Sequence, residues 1–152
     1  MNQVKRLQSK ILSVTALENQ LEKWRSENEK IVFTNGCFDL LHLGHVDYLA
    51  KARDLGDRLV VGLNSDASIK HIKGSSRPIN DEQSRLALLA GMSYVDAVVL
   101  FDEDTPINLI SAVMPDVLVK GADYSIKEIV GHEIVLNNAG EVCTIDFVEG
   151  YS

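Results

Sequence analysis

His42 and His45 stand three residues apart with Gly44 between them, in the run Phe33-Thr34-Asn35-Gly36-Cys37-Phe38-Asp39-Leu40-Leu41-His42-Leu43-Gly44-His45. This run leaves an apolar stretch and enters a helical pattern. Two imidazoles at that spacing beside a helix start can face one anion, and the free backbone N–H groups of a first helical turn point the same way. A triphosphate fits such a cradle. Gly36 supplies a tight turn or a close approach to phosphate, and Gly44 keeps the helix start uncrowded. Zinc is the rival reading of a histidine pair, but the spacing is not H-E-x-x-H and no cysteine cluster is adjacent, so no metal ligands are assigned.

A second set of candidates is basic: Lys70, Lys73, Arg77 and Arg85 fall together in a chain with 22 acidic and 15 basic residues and a formal charge of -7. That balance argues against a broad phosphate-backbone footprint, so no nucleic-acid partner is expected and the anion should be small. Lys73 and Arg77 follow an apolar run at the edge where ligands enter, and Gly74-Ser75-Ser76 makes their loop a candidate for closing over substrate. Lys120-Gly121 ends another apolar run in the same way. Cys37 and Cys143 lack metal-ligand or C-x-x-C spacing and are given no catalytic role.

The elements that must position these residues alternate along the chain. Leu17, Leu21 and Trp24 make one stripe of a helix over residues 15–26, with Thr15 and Glu18 as its capping box. Ile31-Val32-Phe33-Thr34 reads as a buried strand, and residues 44–55 as a helix with Val46, Leu49, Ala50 and Leu55 on its inward side. Arg58–Leu63 is a second apolar strand, followed by a mostly polar stretch from Lys70 to Pro78. A helix spans about Asp81–Met92, with Asn80 and Gln83 in a capping pattern. Ala97–Leu100 is the next strand; Thr105 caps a helix with Pro106 at its first position, ended by Pro115. Val117-Leu118-Val119 is the fourth strand. Ser125 with Glu128 starts a short helix, a further helical piece covers about His132–Asn138, and Glu141–Ile145 is the fifth strand.

Near-continuous apolar strands separated by helices imply an α/β, Rossmann-like open parallel five-stranded sheet with helices on both faces. Ligands bind such sheets beyond the carboxyl ends of the strands, where the strand order reverses. With 152 residues, 45% hydrophobic, 24% charged and three prolines, one domain over 1–152 is expected, its core at about 30–148. The polar start Met1–Lys10 lacks the apolar segment of a signal peptide, and no stretch is long enough to cross a membrane, so a cytoplasmic location is expected.

The pattern Gly36-x-Phe38-Asp39-x-x-His42-x-Gly44-His45 resembles the HxGH motif of the nucleotidyltransferase superfamily, in the form found in small cytidylyltransferase-like enzymes. The likeness continues through Gly62-Leu63-Asn64-Ser65-Asp66, Lys73-Gly74, Arg77-Pro78-Ile79-Asn80, Arg85, the segment Pro115–Tyr124 and Gly150-Tyr151-Ser152. Together these are similar to the adenylyltransferase domain that makes ADP-heptose. The resemblance implies that His42, His45 and Lys73 are catalytic. It implies nucleotide contacts from Thr34, Asn35, Gly36, Phe38, Gly44, Lys120, Tyr151 and Ser152, beside the two histidines. Asp39, Asn64, Asp66, Arg77, Arg85, Lys120, Asp123 and Tyr124 would serve the acceptor, Asp39 alternatively organising its loop. ATP as substrate, Mg²⁺ associated with it, a homodimer and a functional link to a separate heptose kinase also follow from the resemblance. Relatives continue past Gly150-Tyr151-Ser152 with Thr-Thr and another helix, so a C-terminal segment cut short is expected.

No general base is required for this chemistry. A sugar phosphate is largely ionised near neutral pH, its second pKa being about 6, so attack on the α-phosphorus needs alignment and charge neutralisation. Two alternatives stay open at this point: CTP-dependent transfer to glycerol 3-phosphate or a related phosphate, and a non-catalytic nucleotide-binding or assembly module.

Overall fold

Alternate residues of each central strand face opposite sides of the sheet, and both sides are apolar, so the strands must be covered by helices above and below. The computed structural model, which describes residues 2–151, has this arrangement. Strands β1 (Ile31–Gly36), β2 (Arg58–Asn64), β3 (Ala97–Phe101), β4 (Val117–Gly121) and β5 (Glu141–Ile145) form one all-parallel sheet in the order β3-β2-β1-β4-β5. Helices α1 (Gln3–Gln8), α2 (Val14–Ser26), α3 (Leu43–Arg53), α4 (Asp66–Lys73), α5 (Glu82–Ala90), α6 (Ile107–Val113) and α7 (His132–Asn137) surround it, with a 3₁₀ turn at Ile126–Glu128. On one face Val32, Leu59 and Val61 meet Tyr48, Leu49 and Ala52 of α3 and Leu86 and Leu89 of α5. On the other, Ile31, Phe33 and Val60 meet Leu17, Leu21 and Trp24 of α2, Leu109 and Ile110 of α6 and Val135 of α7.

Several local expectations are corrected. Residues 66–73, which run into the stretch from Lys70 read as polar, form α4, capped by the Ser65 hydroxyl accepting from the Ser68 N–H and anchored by the fully buried Ile69. The short helix α1 was not anticipated, and none of its residues is buried, which removes the apolar stripe that would have marked it. Ser13 rather than Thr15 caps α2, and Asp81 rather than Asn80 caps α5. Helix α6 begins at Ile107, with Pro106 at the cap and no side-chain cap bond. The buried side of α3 is Tyr48, Leu49 and Ala52, whereas Val46 and Leu55 are exposed. The capping box of Ser125 and Glu128 stands as expected.

Candidate active site

The sheet reverses its strand order between β1 and β4, and there the two strands separate. β1 stays paired with β2 as far as Gly36↔Leu63, and β4 with β5 as far as Gly121↔Ile145. The ladder between β1 and β4, however, comprises only Val32↔Val117 and Phe33↔Leu118. Beyond it the backbone ladder ends, and the carboxyl ends of the two strands flank the crevice position at which open parallel sheets take their ligands. Two side-chain bonds cross the split in register: the Thr34 hydroxyl donates to the Val119 carbonyl (2.9 Å), and Lys120 Nζ donates to the Asn35 carbonyl (3.1 Å). Gly36 and Gly121 are the last residues of β1 and β4.

Above one lip stands the start of α3. His42 is its N-cap, with its Nδ1 accepting from the Gly44 N–H (3.1 Å), while His45 Nδ1 accepts from the His42 N–H (3.3 Å). The two imidazoles thus play the parts that serine and glutamate usually play in a reciprocal cap. A ring nitrogen that accepts carries no hydrogen, so each neutral ring holds its hydrogen on Nε2, as a donor not used by the cap. The ring centroids lie 4.0 Å apart with planes at 31°, and the Tyr151 ring is 6.0 Å from that of His42. Burial, then the neighbouring His42, pushes the His45 pKa below its ordinary value, favouring this neutral form. The expectation of free backbone amides is corrected in part, since the N–H groups of His42 and Gly44 serve the rings. The helix start offers imidazole N–H donors in their place.

Close approach explains both glycines of the motif. A side-chain carbon at Gly44 would sit 2.9 Å from His42 Cε1 and 3.0 Å from Tyr151 Cβ, and one at Gly36 would sit 2.9 Å from the Phe38 ring. Phe38 takes a positive φ of 44° and is buried, with its ring edge-on to His45 at 5.5 Å. Its ring supports the histidine. The assignment of Thr34 as a nucleotide contact is corrected: its side chain is fully buried and its hydroxyl is bonded to Val119 and Tyr48.

On the facing lip, burial pushes the Lys120 ammonium below its ordinary pKa, and Cys37 and Asp123 pull it part of the way back. Its Nζ lies 5.3 Å from the centre of the half-exposed Tyr124 ring. Lys120 thus reaches from β4 across to Asn35 on β1, with Asp123 and Tyr124 on its own side of the split, and the Tyr151 ring lies on the histidine side. Ser152 lies outside the described residues.

Three residues expected at the acceptor are spent internally. Arg85 has no exposed surface and donates to the carbonyls of Asn80 (3.0 Å), Cys37 (2.9 Å) and Asn64 (2.7 Å) and to Asp66 Oδ1 (2.7 Å). Asp66 is held by that pair, and Asn64, buried, donates to the Ser68 hydroxyl (3.0 Å). Lys73 is exposed at the end of α4, with no hydrogen bond or ion pair among the described residues.

Asp39 organises the loop rather than facing the crevice. Its carboxylate accepts from the N–H groups of Ile79 (2.9 Å) and Asn80 (2.8 Å), Arg77 lies at 3.5 Å, and the Asn80 amide donates to the Asp39 carbonyl (2.8 Å). Burial pushes the Asp39 pKa up, but the donors from Asn80, Ile79 and Arg77 together outweigh it and hold the group below its ordinary value. The brace is therefore complete above the unfolded carboxylate pKa of about 3.9 and is lost as the pH falls through the lower folded value. Asp39→Asn should destabilise the protein by about 1–3 kcal/mol near pH 7. In thermal melts, that gap should close below about pH 4.

Comparison with known proteins agrees with this geometry. The cytidylyltransferase-like family model matches residues 33–145. The bifunctional protein HldE of Campylobacter concisus is 59% identical over 143 residues, covering 94% of this chain and 29% of that protein. This chain spans about three tenths of the length of the curated relatives it matches. Among solved structures, a lipopolysaccharide core biosynthesis protein from Thermoplasma volcanium is 33% identical, with a TM-score of 0.64 over 79% of this chain and 97% of that one. A pantoate–β-alanine ligase from Francisella tularensis shares the fold alone, at 14% identity and a TM-score of 0.63, covering 90% of this chain and 66% of that one. A crevice at the strand-order reversal, an HxGH pair capping the next helix and a family match across the sheet lead to one conclusion: the chain belongs to the cytidylyltransferase-like family.

Proposed function

We propose that this chain, as a single cytosolic nucleotidyltransferase domain, transfers the AMP group of ATP to D-glycero-β-D-manno-heptose 1-phosphate. An acceptor phosphate oxygen attacks the α-phosphorus, the bond from that phosphorus to the bridging oxygen breaks, and ADP-heptose and pyrophosphate form. The observation that carries the reading is the reciprocal cap of His42 and His45, which commits both Nδ1 atoms and leaves two Nε2–H donors beside the split between β1 and β4. Donors fixed before the reaction stabilise charge on phosphoryl oxygens without reorganising during it. Lys120, on the facing lip, adds a partly desolvated ammonium whose attraction for phosphate is stronger than in water.

Among the described residues no group of three or more His, Cys, Asp or Glu is placed to hold a metal ion. Mg²⁺ belongs to this proposal as part of the bound triphosphate, and Lys73, Arg77 and Tyr151 as side chains that meet substrate. A homodimer and a link to a separate heptose kinase are further parts of it. No helix among the described residues is long and apolar enough to cross a membrane.

Adenine and heptose rest on the similarity to ADP-heptose enzymes. Pyrophosphate release measured with ATP and CTP against heptose 1-phosphate, glycerol 3-phosphate and other sugar and polyol phosphates tests the reading. The expected result is release with ATP and heptose 1-phosphate; strict preference for CTP would overturn it.

A further inference from the structure

The crevice has a floor that the reaction scheme leaves unused. Thr34 and Tyr48 are both buried, and their hydroxyl oxygens are 2.7 Å apart. Thr34 has a single hydroxyl hydrogen, which goes to the Val119 carbonyl 2.9 Å away. The hydrogen between the two hydroxyls must then come from Tyr48. Burial pushes the Tyr48 phenol well above its ordinary pKa, so this hydrogen stays in place throughout the working pH range.

The order Tyr48 to Thr34 to Val119 joins α3, β1 and β4 one step beyond the last paired residues of β1 and β4. Tyr48 follows His45 by three residues, so it lies one turn below on the same helix. The chain therefore ties the helix that carries the imidazoles to both lips of the split at its base. Resting on the adenylyl-transfer reading, we infer that Tyr48 and Thr34 are positioning residues that set the height and pitch of the α3 start, and with it the aim of the two Nε2–H donors. Neither touches substrate. Their action passes through the helix, and a displacement of about 1 Å at a reacting centre can lower a rate by about a hundredfold.

Kinetics of Tyr48→Phe, Thr34→Val, the double variant and Thr34→Ser test this. Tyr48→Phe and Thr34→Val should each lower kcat by about tenfold or more with the triphosphate KM within about twofold. The double variant should be no slower than the slower single variant, because one chain is cut in either case. Thr34→Ser keeps the hydroxyl and should restore kcat. A readout independent of turnover is ¹⁵N NMR of the histidine rings. Native His42 and His45 should show the Nε2–H tautomer alone, and Tyr48→Phe and Thr34→Val should show a mixture. If one of these variants fails to fold, the other decides, with Thr34→Ser as its control.

Unchanged ring signals in Tyr48→Phe and Thr34→Val would overturn the inference, as would a Thr34→Ser enzyme as slow as Thr34→Val. Native protein that turned over no combination of triphosphate and acceptor would instead count against the proposed function. The tautomer measurement would then still decide the role of the two hydroxyls.

Discussion

His45→Ala lowers kcat by about 10²–10³-fold while the KM for triphosphate changes much less, the expected result of removing a donor that acts on charge developed in the transition state. The same substitution also removes half of a helix cap, since His45 Nδ1 accepts the His42 N–H and His42 Nδ1 accepts the Gly44 N–H. Alanine at a cap position costs about 1 kcal/mol, which would confuse a simple activity assay with partial unfolding. His42→Asn and His45→Gln separate the two effects, because asparagine is a good N-cap and glutamine suits the third helical position of a capping box. Melting temperatures of these variants should return toward the native value while kcat stays depressed. Native kcat in either would remove the imidazole N–H from the mechanism. The pH dependence follows from the same geometry. His45 has a lowered pKa, so the unfolded chain takes up the proton more readily; the cap is complete above about pH 6.5 and is lost as the pH falls through the lowered value. Turnover should fall in the same window.

Arg85→Met is expected to destabilise the protein by about 3–5 kcal/mol, the cost of breaking a buried ion pair from one side. Methionine fills much of the volume but leaves the Asp66 carboxylate and the carbonyls of Cys37, Asn64 and Asn80 without their donor. Arg85→Lys should recover little, because one ammonium cannot reach four acceptors arranged around a planar guanidinium. Urea unfolding midpoints check both variants, and a change below about 1 kcal/mol would mean that the network is dispensable. Because the Cys37 carbonyl belongs to the loop leading to His42, residual folded protein should also show reduced kcat.

Arg85 also shows where sequence reading stops. In a linear chain it stands with Lys70, Lys73 and Arg77 as one more cation, and nothing local distinguishes a guanidinium that is fully buried from one in solvent. Its partners lie 5 to 48 residues away. Asp39 meets its backbone donors 40 and 41 residues along the chain, so its bracing role was legible only as one of two options. The histidine pair was legible because its geometry is local: His42, Gly44 and His45 share one helical turn. The parallel five-stranded sheet and its helix cover on both faces were legible from the apolar runs, since parallel strands buried on both faces carry that pattern directly, whereas the strand order is set by contacts between distant segments. Helices α1 and α4 were not, because they bury too little apolar surface to imprint a stripe on the sequence. The inward side read for residues 44–55 omits Tyr48, since nothing local reveals that its hydroxyl meets Thr34.

The separation of β1 from β4 also bears on how the protein reaches its native state. β1, β2 and β3 are successive strands joined by helical crossovers, so their pairing draws together neighbouring stretches of chain. The residues bridging the crevice are 85 positions apart. Closing that long loop costs more chain entropy than forming either flank, and only two residue pairs of ladder repay it. That cost predicts that the β1–β4 seam is the last part of the sheet to close, and pulsed hydrogen exchange during refolding should show the amides of this ladder protected after those between β1 and β2.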